Sequence, residues 1–310
     1  MGKNLPFFFL VYIPIWNTTA VVVASVGSAL NQINHPYGLF IPANSDILYI
    51  ADSDNHRVLK WFPNATSGLI VAGGQGKGWN ITQLNNPREV CIDRDENIYV
   101  ADSGNYRIQR FYSGSLIGDS IAGNGSFGAI NNSFGNILGL GVDLSYNVYV
   151  SDYDRARVTK WTPNATSGIR VAGNGSQGNT PYQLNIPTAF YTDPIIGTLY
   201  IPNQSGHCVT KWLPGSTFGV TVAGVCGQSG TNETLLTSPK CVTFDKYGYM
   251  YVIDGVNSGR LIMFLSNSLI GMPIITSGLN NPISLAIDTQ LTIYISDWNN
   301  NRIVKYILLK

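Results

Sequence analysis

The chain has 310 residues, of which 44% are hydrophobic and 12% are charged, so it can bury a large core and does not have the composition of a disordered protein. Its formal net charge of +1 lacks the basic excess that nucleic-acid binders usually carry, and we expect no nucleic-acid partner. No apolar run reaches the roughly 18 residues that a membrane-spanning helix needs, so we expect no membrane span.

The first element in chain order is an apolar stretch at residues 5–15, with the sequence LPFFFLVYIPI and Lys3 before it. A basic residue followed by a short apolar segment is typical of a secretory signal peptide. The stretch contains two prolines and lacks a clear cleavage site, so a strand or the start of a fragment also fits it. We take residues 1–15 as a candidate signal peptide or leader and residues 16–310 as one folded domain.

A nine-residue motif follows and recurs along the chain. Its first copy, YIADSDNHR, covers residues 49–57. Six copies align on an Asp or Asn at the fourth position, with spacings of 50, 50, 51, 51 and 43 residues, at positions 52, 102, 152, 203, 254 and 297. Such regular spacing is typical of a repeat protein.

Each motif belongs to a longer unit with a constant internal order. In most copies a Leu-Asn-x-Pro segment leads into a short apolar run and a polar turn. The Tyr-x-x-Asp segment, an Arg-x-x-x-Trp segment and a Val-Ala-Gly segment then follow, so each unit contains four short strands separated by turn residues. Four such strands make one blade of a β-propeller, and the chain is therefore predicted to be an all-β, six-bladed β-propeller.

The two ends of the chain complement each other. The last unit ends without its Val-Ala-Gly strand, and residues 16–24 (WNTTAVVVA) resemble residues 61–72 of the first unit, which contain that strand. We predict that the N-terminal strand completes the last blade and closes the ring. Closure removes open sheet edges, which otherwise invite pairing with other chains, so we expect a monomeric propeller.

The consensus of these copies resembles the NHL repeat. It reads Pro-x-Gly-apolar-x-apolar-Asp, followed by Tyr-Val-Ala-Asp-Ser-x-Asn-x-Arg, and the similarity covers the chain after residue 15. NHL repeats are propeller blades in extracellular lyases, in receptor-kinase sensor domains and in tripartite-motif ubiquitin ligases. The resemblance therefore implies the fold and leaves the function open.

An acidic and a basic residue, five positions apart, recur in most copies. A residue that every blade needs is more readily explained by the architecture than by a binding site. We expect each Arg to satisfy the Asp and nearby carbonyl groups between strands two and three. The structural pairs are Asp52 and Arg57, Asp102 and Arg107, Asp152 and Arg157, and Asp297 and Arg302, with Asp254 and Arg260 in the fifth copy.

The fourth copy has Asn203 and Cys208 at these two positions. A disulfide at Cys208 could replace the missing ion pair, and we expect Cys208–Cys226 first and Cys226–Cys241 second, because the sequence alone does not determine the pairing. None of the four cysteines has Cys-x-x-Cys spacing, which argues against a zinc ribbon. Cys91 lies in an apolar strand and is predicted to be a buried free thiol.

The loops between strands two and three differ from blade to blade and should share one face of the disc. Exposed aromatic, amide and Arg side chains suit recognition of a protein or a glycan, so we expect a non-catalytic binding scaffold. The long connections between blades add Trp79, Phe127 and Tyr182 to this face. The predicted binding residues are His56, Tyr106, Tyr153, Arg155, His207 and Trp298.

Two other functions remain open at this stage. A metal-dependent lyase or hydrolase, as the resemblance to peptidyl-amidating lyases implies, would need His35, His56 and His207 to converge at the central axis. A recognition module of a ubiquitin ligase is the other alternative, although no RING or B-box cluster of Cys and His is present. The sequence assigns no catalytic residue and no cofactor or metal.

Nine Asn-x-Ser/Thr sequences mark acceptors for N-glycosylation. Together with the candidate disulfide, they favour a secreted or extracellular glycoprotein. The acceptors are Asn17, Asn64, Asn80, Asn124, Asn131, Asn164, Asn174, Asn203 and Asn232.

Overall fold

The computed structural model describes residues 13–128 and 130–309, so most of the candidate leader, residues 1–12, lies outside the described residues. The described strands include six blade sheets, each with four antiparallel strands in the order of a propeller blade, and one of these sheets has a fifth strand at its outer edge. The inner strands of neighbouring blades contact one another around a central channel. This arrangement confirms the predicted all-β, six-bladed propeller.

The blades are numbered 1 to 6 in the order of their inner strands. The inner strands are Pro36–Phe40, Pro87–Ile92, Ile137–Val142, Tyr191–Thr192, Pro239–Phe244 and Pro282–Ile287. The second strands are Leu48–Asp52, Ile98–Asp102, Val148–Asp152, Leu199–Asn203, Met250–Asp254 and Ile293–Asp297. The third strands are Arg57–Trp61, Arg107–Phe111, Arg157–Trp161, Cys208–Trp212, Arg260–Phe264 and Arg302–Tyr306. The outer strands are Leu69–Gly73, Gly118–Ala122, Ile169–Ala172, Val220–Gly224, Gly271–Ile275 and, for blade 6, Val21–Val26.

Shorter elements complete the described part of the chain. Gln32–Ile33 adds a parallel strand beside Val21–Val26, and Ile15–Trp16 pairs with Leu308–Leu309. In four blades, a single turn of 3-10 helix joins the second strand to the third: Ser53–Asn55, Ser103–Asn105, Tyr153–Arg155 and Trp298–Asn300. No helix among residues 13–128 and 130–309 has the length and apolar character needed to cross a membrane.

The second strands are buried on both faces because each blade packs between two neighbours. All five residues of Ile98–Asp102 are buried, including Tyr99 and Val100, so the strand lacks the alternation of a half-exposed sheet. The residue after each 3-10 turn has a left-handed backbone, as at Tyr106 with φ of 51°. This conformation reverses the chain into the third strand within a few residues.

The N-terminal strand closes the ring as predicted. Val22 lies opposite Val304, and Ala24 lies opposite Ile303 on the third strand of blade 6. Trp16 is buried, and its indole Nε1 donates a hydrogen bond to the Leu291 carbonyl at 2.7 Å. The two termini of the described chain are therefore joined within one blade.

The repeated Asp and Arg residues form ion pairs in which the carboxylate is buried. Arg107 Nε donates to Asp102 Oδ2 at 2.8 Å, and Asp102 is fully buried. The other Asp oxygen, Oδ1, accepts the backbone N–H of Asn85 at 2.7 Å. The corresponding pairs are Asp52–Arg57, Asp152–Arg157, Asp254–Arg260 and Asp297–Arg302.

The carbonyl partners of these arginines differ from our expectation. We placed them between strands two and three, whereas Arg57 donates to the carbonyls of Ser28, Ala29 and Gln32, which precede the blade. In the five blades that have this Arg, the guanidinium therefore ties the blade to the connection that enters it. These hydrogen bonds join a blade to the connection that links it to the preceding blade.

Blade 4 uses a different link at this position. Cys208 is bonded to Cys226, with a Cα–Cα distance of 5.0 Å, while Cys241 and Cys91 are buried free thiols. Asn203 Oδ1 accepts the backbone N–H of Asn185 at 3.0 Å, which is the role of the Asp in other blades. The covalent bond stands where the Arg side chain would otherwise lie.

Candidate functional site

The disc has two faces, which differ in the connections that they carry. The loop face carries the blade-to-blade connections and the loops between second and third strands. The turn face carries the turns between first and second strands and between third and outer strands. Because inner strands run from the loop face to the turn face, residues late in an inner strand lie near the turn face.

The loop face of blades 2 and 3 contains a cluster of aromatic rings backed by arginines. The Arg107 guanidinium lies 4.5 Å from the Trp79 ring, and the Arg155 guanidinium lies 4.5 Å from the Phe127 ring. Tyr106 packs edge-on against Phe127, with 5.5 Å between the ring centres. Trp79 and Phe127 are 50% and 55% exposed, so each ring has a free surface. Tyr106 and Arg155, both predicted as binding residues, belong to this cluster.

Other predicted binding residues lie elsewhere on the same face. Trp298 packs against His35 with ring centres 4.8 Å apart, and His35 Nδ1 lies 2.7 Å from Asp54 Oδ2. Tyr153 is half-buried and lies near Tyr37, whose hydroxyl pKa is raised mainly by burial and to a lesser extent by Glu89 and Tyr153. The predicted residues thus form at least two separate groups around the ring.

The three histidines do not converge. His56 Nδ1 accepts the backbone N–H of Asn86 at 3.2 Å, and burial lowers the pKa of His56. His207 Nδ1 donates to the Thr237 carbonyl at 2.6 Å, near the boundary of blades 4 and 5. Within residues 13–128 and 130–309, no group of three or more His, Cys, Asp or Glu side chains is placed to hold a metal ion. The geometry thus offers no support for a three-His metal site.

The channel contains a cavity whose lining residues were not predicted from the sequence. It has a volume of about 820 Å³, and all six inner strands and the turns after them contribute to its lining. Its residues lie late in the inner strands, so it occupies the half of the channel nearer the turn face. The inner strands carry few residues common to all the repeats, and the repeat pattern therefore gave no signal for this cavity.

The mouth of the cavity is built from repeated aspartate turns. Asp93 Oδ1 accepts the backbone N–H groups of Asp95 and Asn97, each at 2.9 Å. Asp93 Oδ2 accepts the Tyr99 hydroxyl at 3.0 Å, and burial and this carboxylate raise the pKa of Tyr99. The same carboxylate–tyrosine contact recurs at Asp143–Tyr149, Asp245–Tyr251 and Asp288–Tyr294.

Glu89 lines the cavity on the inner strand of blade 2 and is only 5% exposed. Its Oε1 accepts the backbone N–H of Val90 at 3.2 Å, whereas its Oε2 is buried without a hydrogen-bond partner. Burial raises the pKa of Glu89 well above its usual range. Unsatisfied buried carboxylates are rare in folded proteins and call for an explanation.

A sequence profile of the NHL repeat matches residues 84–111 and 279–306. These segments run from just before the inner strand to the end of the third strand in blades 2 and 6. The matched units therefore lie within the closed ring of six equivalent blades. The chain is an NHL-repeat β-propeller. No curated protein is similar enough in sequence to serve as a relative.

Three solved structures with the same fold are distantly similar in sequence to this NHL-repeat propeller. A protein of unknown function from Bacteroides thetaiotaomicron is 15% identical, with a TM-score of 0.69, covering 94% of this chain and 76% of its own. A gluconolactonase from Xanthomonas campestris is 14% identical, with a TM-score of 0.65 and coverages of 96% and 99%. An auxiliary nutrient binding protein from Bacteroides thetaiotaomicron is 14% identical, with a TM-score of 0.64 and coverages of 90% and 70%. At these identities the similarity establishes the fold alone.

Proposed function

We propose that this NHL-repeat propeller is a non-catalytic, extracellular binding scaffold whose loop face recognises a protein or glycan partner. The observation that carries the proposal is the aromatic cluster of Trp79, Tyr106 and Phe127, with one arginine behind Trp79 and another behind Phe127. Large aromatic side chains and Arg dominate the energy of many binding surfaces. A ring with one covered face and one free face can stack against a partner without first reorganising.

The support beneath this cluster is rigid. Arg107, which lies against Trp79, is 3% exposed and is held by its ion pair with Asp102. A surface residue whose neighbours are fixed loses less conformational freedom on binding, and this preorganisation favours affinity. The same residue thus stabilises blade 2 and supports the ring that we assign to partner recognition.

An extracellular location is supported by the disulfide and by the exposure of the glycosylation acceptors. Eight of the nine acceptor Asn residues are exposed, whereas Asn203 is 2% exposed and bonded within blade 4, so a glycan at Asn203 would not fit the fold. Disulfides persist mainly in oxidising compartments. One of the solved neighbours is an auxiliary nutrient binding protein, and a binding role is compatible with that neighbour.

Binding to a glycan array and to a library of extracellular proteins tests the proposal. The variants Trp79→Ala and Phe127→Ala are expected to weaken binding of any captured partner by about ten-fold or more, as for residues central to an interface. Both side chains are about half exposed, so the melting temperature should remain nearly unchanged.

The matched control is Tyr112→Ala. Tyr112 is also a half-exposed ring beside an arginine, with Arg110 4.6 Å from it, but it lies in a turn on the opposite face. Binding by this variant should equal that of the unmodified protein. A partner that binds all three variants equally well would contradict the assignment of the loop face.

A further inference from the structure

The channel cavity has the size and lining of a site for a small organic molecule. Its volume of about 820 Å³ falls within the roughly 300–1,000 Å³ range of typical ligand pockets. Four aromatic rings line it: Phe40, Phe190, Tyr191 and Phe244. Tyr191 and Phe244 pack against each other with ring centres 4.8 Å apart, so this part of the wall is fixed.

Glu89 brings an unbalanced acidic group to this lining. The side chain is 95% buried, and its Oε2 atom has no hydrogen-bond partner. Three titratable groups interact electrostatically with the Glu89 carboxylate: Tyr37 on blade 1, Cys91 on the same strand as Glu89, and Cys241 on blade 5. Burial raises the pKa of all three, that of Cys241 to about 12, and because a phenol or a thiol can ionise only to an anion, none of them can act as a counter-ion.

The two basic residues of the lining lie at the mouth of the cavity and already have hydrogen-bond partners there. Arg94 Nε donates to the Tyr146 hydroxyl at 2.7 Å, and its guanidinium lies 4.7 Å from that ring. Lys246 Nζ donates to the Thr289 carbonyl at 2.8 Å. The pKa of Glu89 is shifted by burial, which raises it, and by the Val90 N–H, which lowers it. Neither Arg94 nor Lys246 contributes to this shift.

The lining as a whole also has an excess of acidic groups. It includes five acidic residues and two basic ones, and the four aspartates alone outnumber the basic residues by two: Glu89, Asp93, Asp143, Asp245 and Asp288 against Arg94 and Lys246. A cleft lined by one sign of charge attracts ligands of the opposite sign. Aromatic walls add to this, because the face of a ring attracts a cation.

We propose that the turn-face half of the channel is a second binding site, independent of the loop face, that takes a small organic amine with a largely apolar body. The ammonium group supplies the counter-charge that Glu89 lacks, and the aromatic and aliphatic wall covers the apolar body. A carboxylate ligand would meet the acidic excess of the lining, and a neutral alcohol would leave Glu89 without a cation. The chemistry of the lining therefore favours the amine over both.

Isothermal titration calorimetry with 2-phenylethylamine, 2-phenylethanol and 3-phenylpropionate tests this site. The amine should bind at least about ten-fold more tightly than the alcohol, since bonds to charged groups are the stronger ones, and the carboxylate should not bind measurably. Burial raises the pKa of Glu89 and so favours its protonated form in the free protein. An ammonium ion that pairs with the carboxylate displaces this proton, so binding should release a proton. Titrations in two buffers with different ionisation enthalpies measure that release.

Two cavity variants and one loop-face variant complete the test. Glu89→Gln keeps the shape and removes the charge, so the amine should bind like the alcohol, without proton release. Val142→Phe adds bulk to the cavity wall and should abolish binding of both. Trp79→Ala should bind the amine normally, and this result separates the site from the proposed loop-face function. Equal binding of the amine and the alcohol, no binding of any probe, or loss of amine binding only in Trp79→Ala would overturn the proposal.

Discussion

At the scale of single residues, the two carboxylate oxygens of each repeated Asp bind different partners. In blade 2, one Asp102 oxygen holds Arg107 and the other holds the backbone N–H of Asn85. A fully buried carboxylate is tolerated because both oxygens are satisfied. The same residue therefore joins strands two and three to the connection that precedes the blade.

Removal of this carboxylate should destabilise the protein strongly. Asp102→Ala leaves the buried Arg107 without its counter-ion, and we expect the free energy of unfolding to fall by about 3–5 kcal/mol in urea denaturation. The control is Asp119→Ala in the same blade, where Asp119 is 56% exposed and lies 3.7 Å from Arg110. That change should stay within about 0.5 kcal/mol, as for exposed ion pairs. Equal effects of the two variants would refute the structural role of the pair.

Positions that repeat were predictable from the sequence, and so was the Cys208–Cys226 bond at the one copy that departs from the pattern. The Asp and Arg positions followed from six aligned copies, but their carbonyl partners did not, because those partners are backbone groups. Asn203 matched the pattern of a glycan acceptor and also aligned with the repeated Asp. Asn203 is only 2% exposed, which favours the structural role over the glycan acceptor. This exposure depends on the packing of blade 4 and could not be predicted from the sequence.

At the scale of elements, blade 4 departs most from the others. Its inner strand is reduced to Tyr191–Thr192, and Pro187 contributes an isolated bridge to Asn203. Cys208 begins the third strand and is bonded to Cys226, just after the outer strand. The disulfide therefore strengthens the edge of a blade that lacks both the ion pair and a full inner strand.

Loss of the Cys208–Cys226 bond should weaken the fold measurably. The loop it closes spans a sequence separation of 18 residues, for which the chain-entropy model gives a stabilisation of about 3 kcal/mol. We expect dithiothreitol to lower the midpoint of urea denaturation of the native protein. The double variant Cys208→Ser and Cys226→Ser should show the lower midpoint with or without the reductant. An unchanged midpoint on reduction would argue against this disulfide.

The inner strands explain why the channel cavity was not foreseen. Alternation within a strand indicates which side chains are buried, but it does not indicate which of them meet across a ring of six blades. Glu89 lies in the run Pro87–Ile92, which reads as an ordinary buried strand with one acidic residue. Its lack of a partner depends on the strands that surround it in the ring rather than on its own segment.

At the scale of the whole molecule, the propeller separates two surfaces of different character. The loop face presents aromatic rings on a rigid support, and the turn face opens into an acidic, partly aromatic cavity. The repeat count and the complementary ends were enough to predict the closed ring. The loop-face site that we propose was also predicted from the sequence, whereas the channel site that we propose required the three-dimensional arrangement of residues that differ between blades.

Closure of the ring by the N-terminal strand is the claim on which the rest depends, and native-state hydrogen exchange tests it most directly. Residues 21–26 pair with the third strand of blade 6, so their hydrogen-bonded amides should exchange as slowly as those of residues 302–306 and lose protection together with them. Fast exchange at residues 21–26, with residues 302–306 still protected, would contradict the closed six-bladed ring.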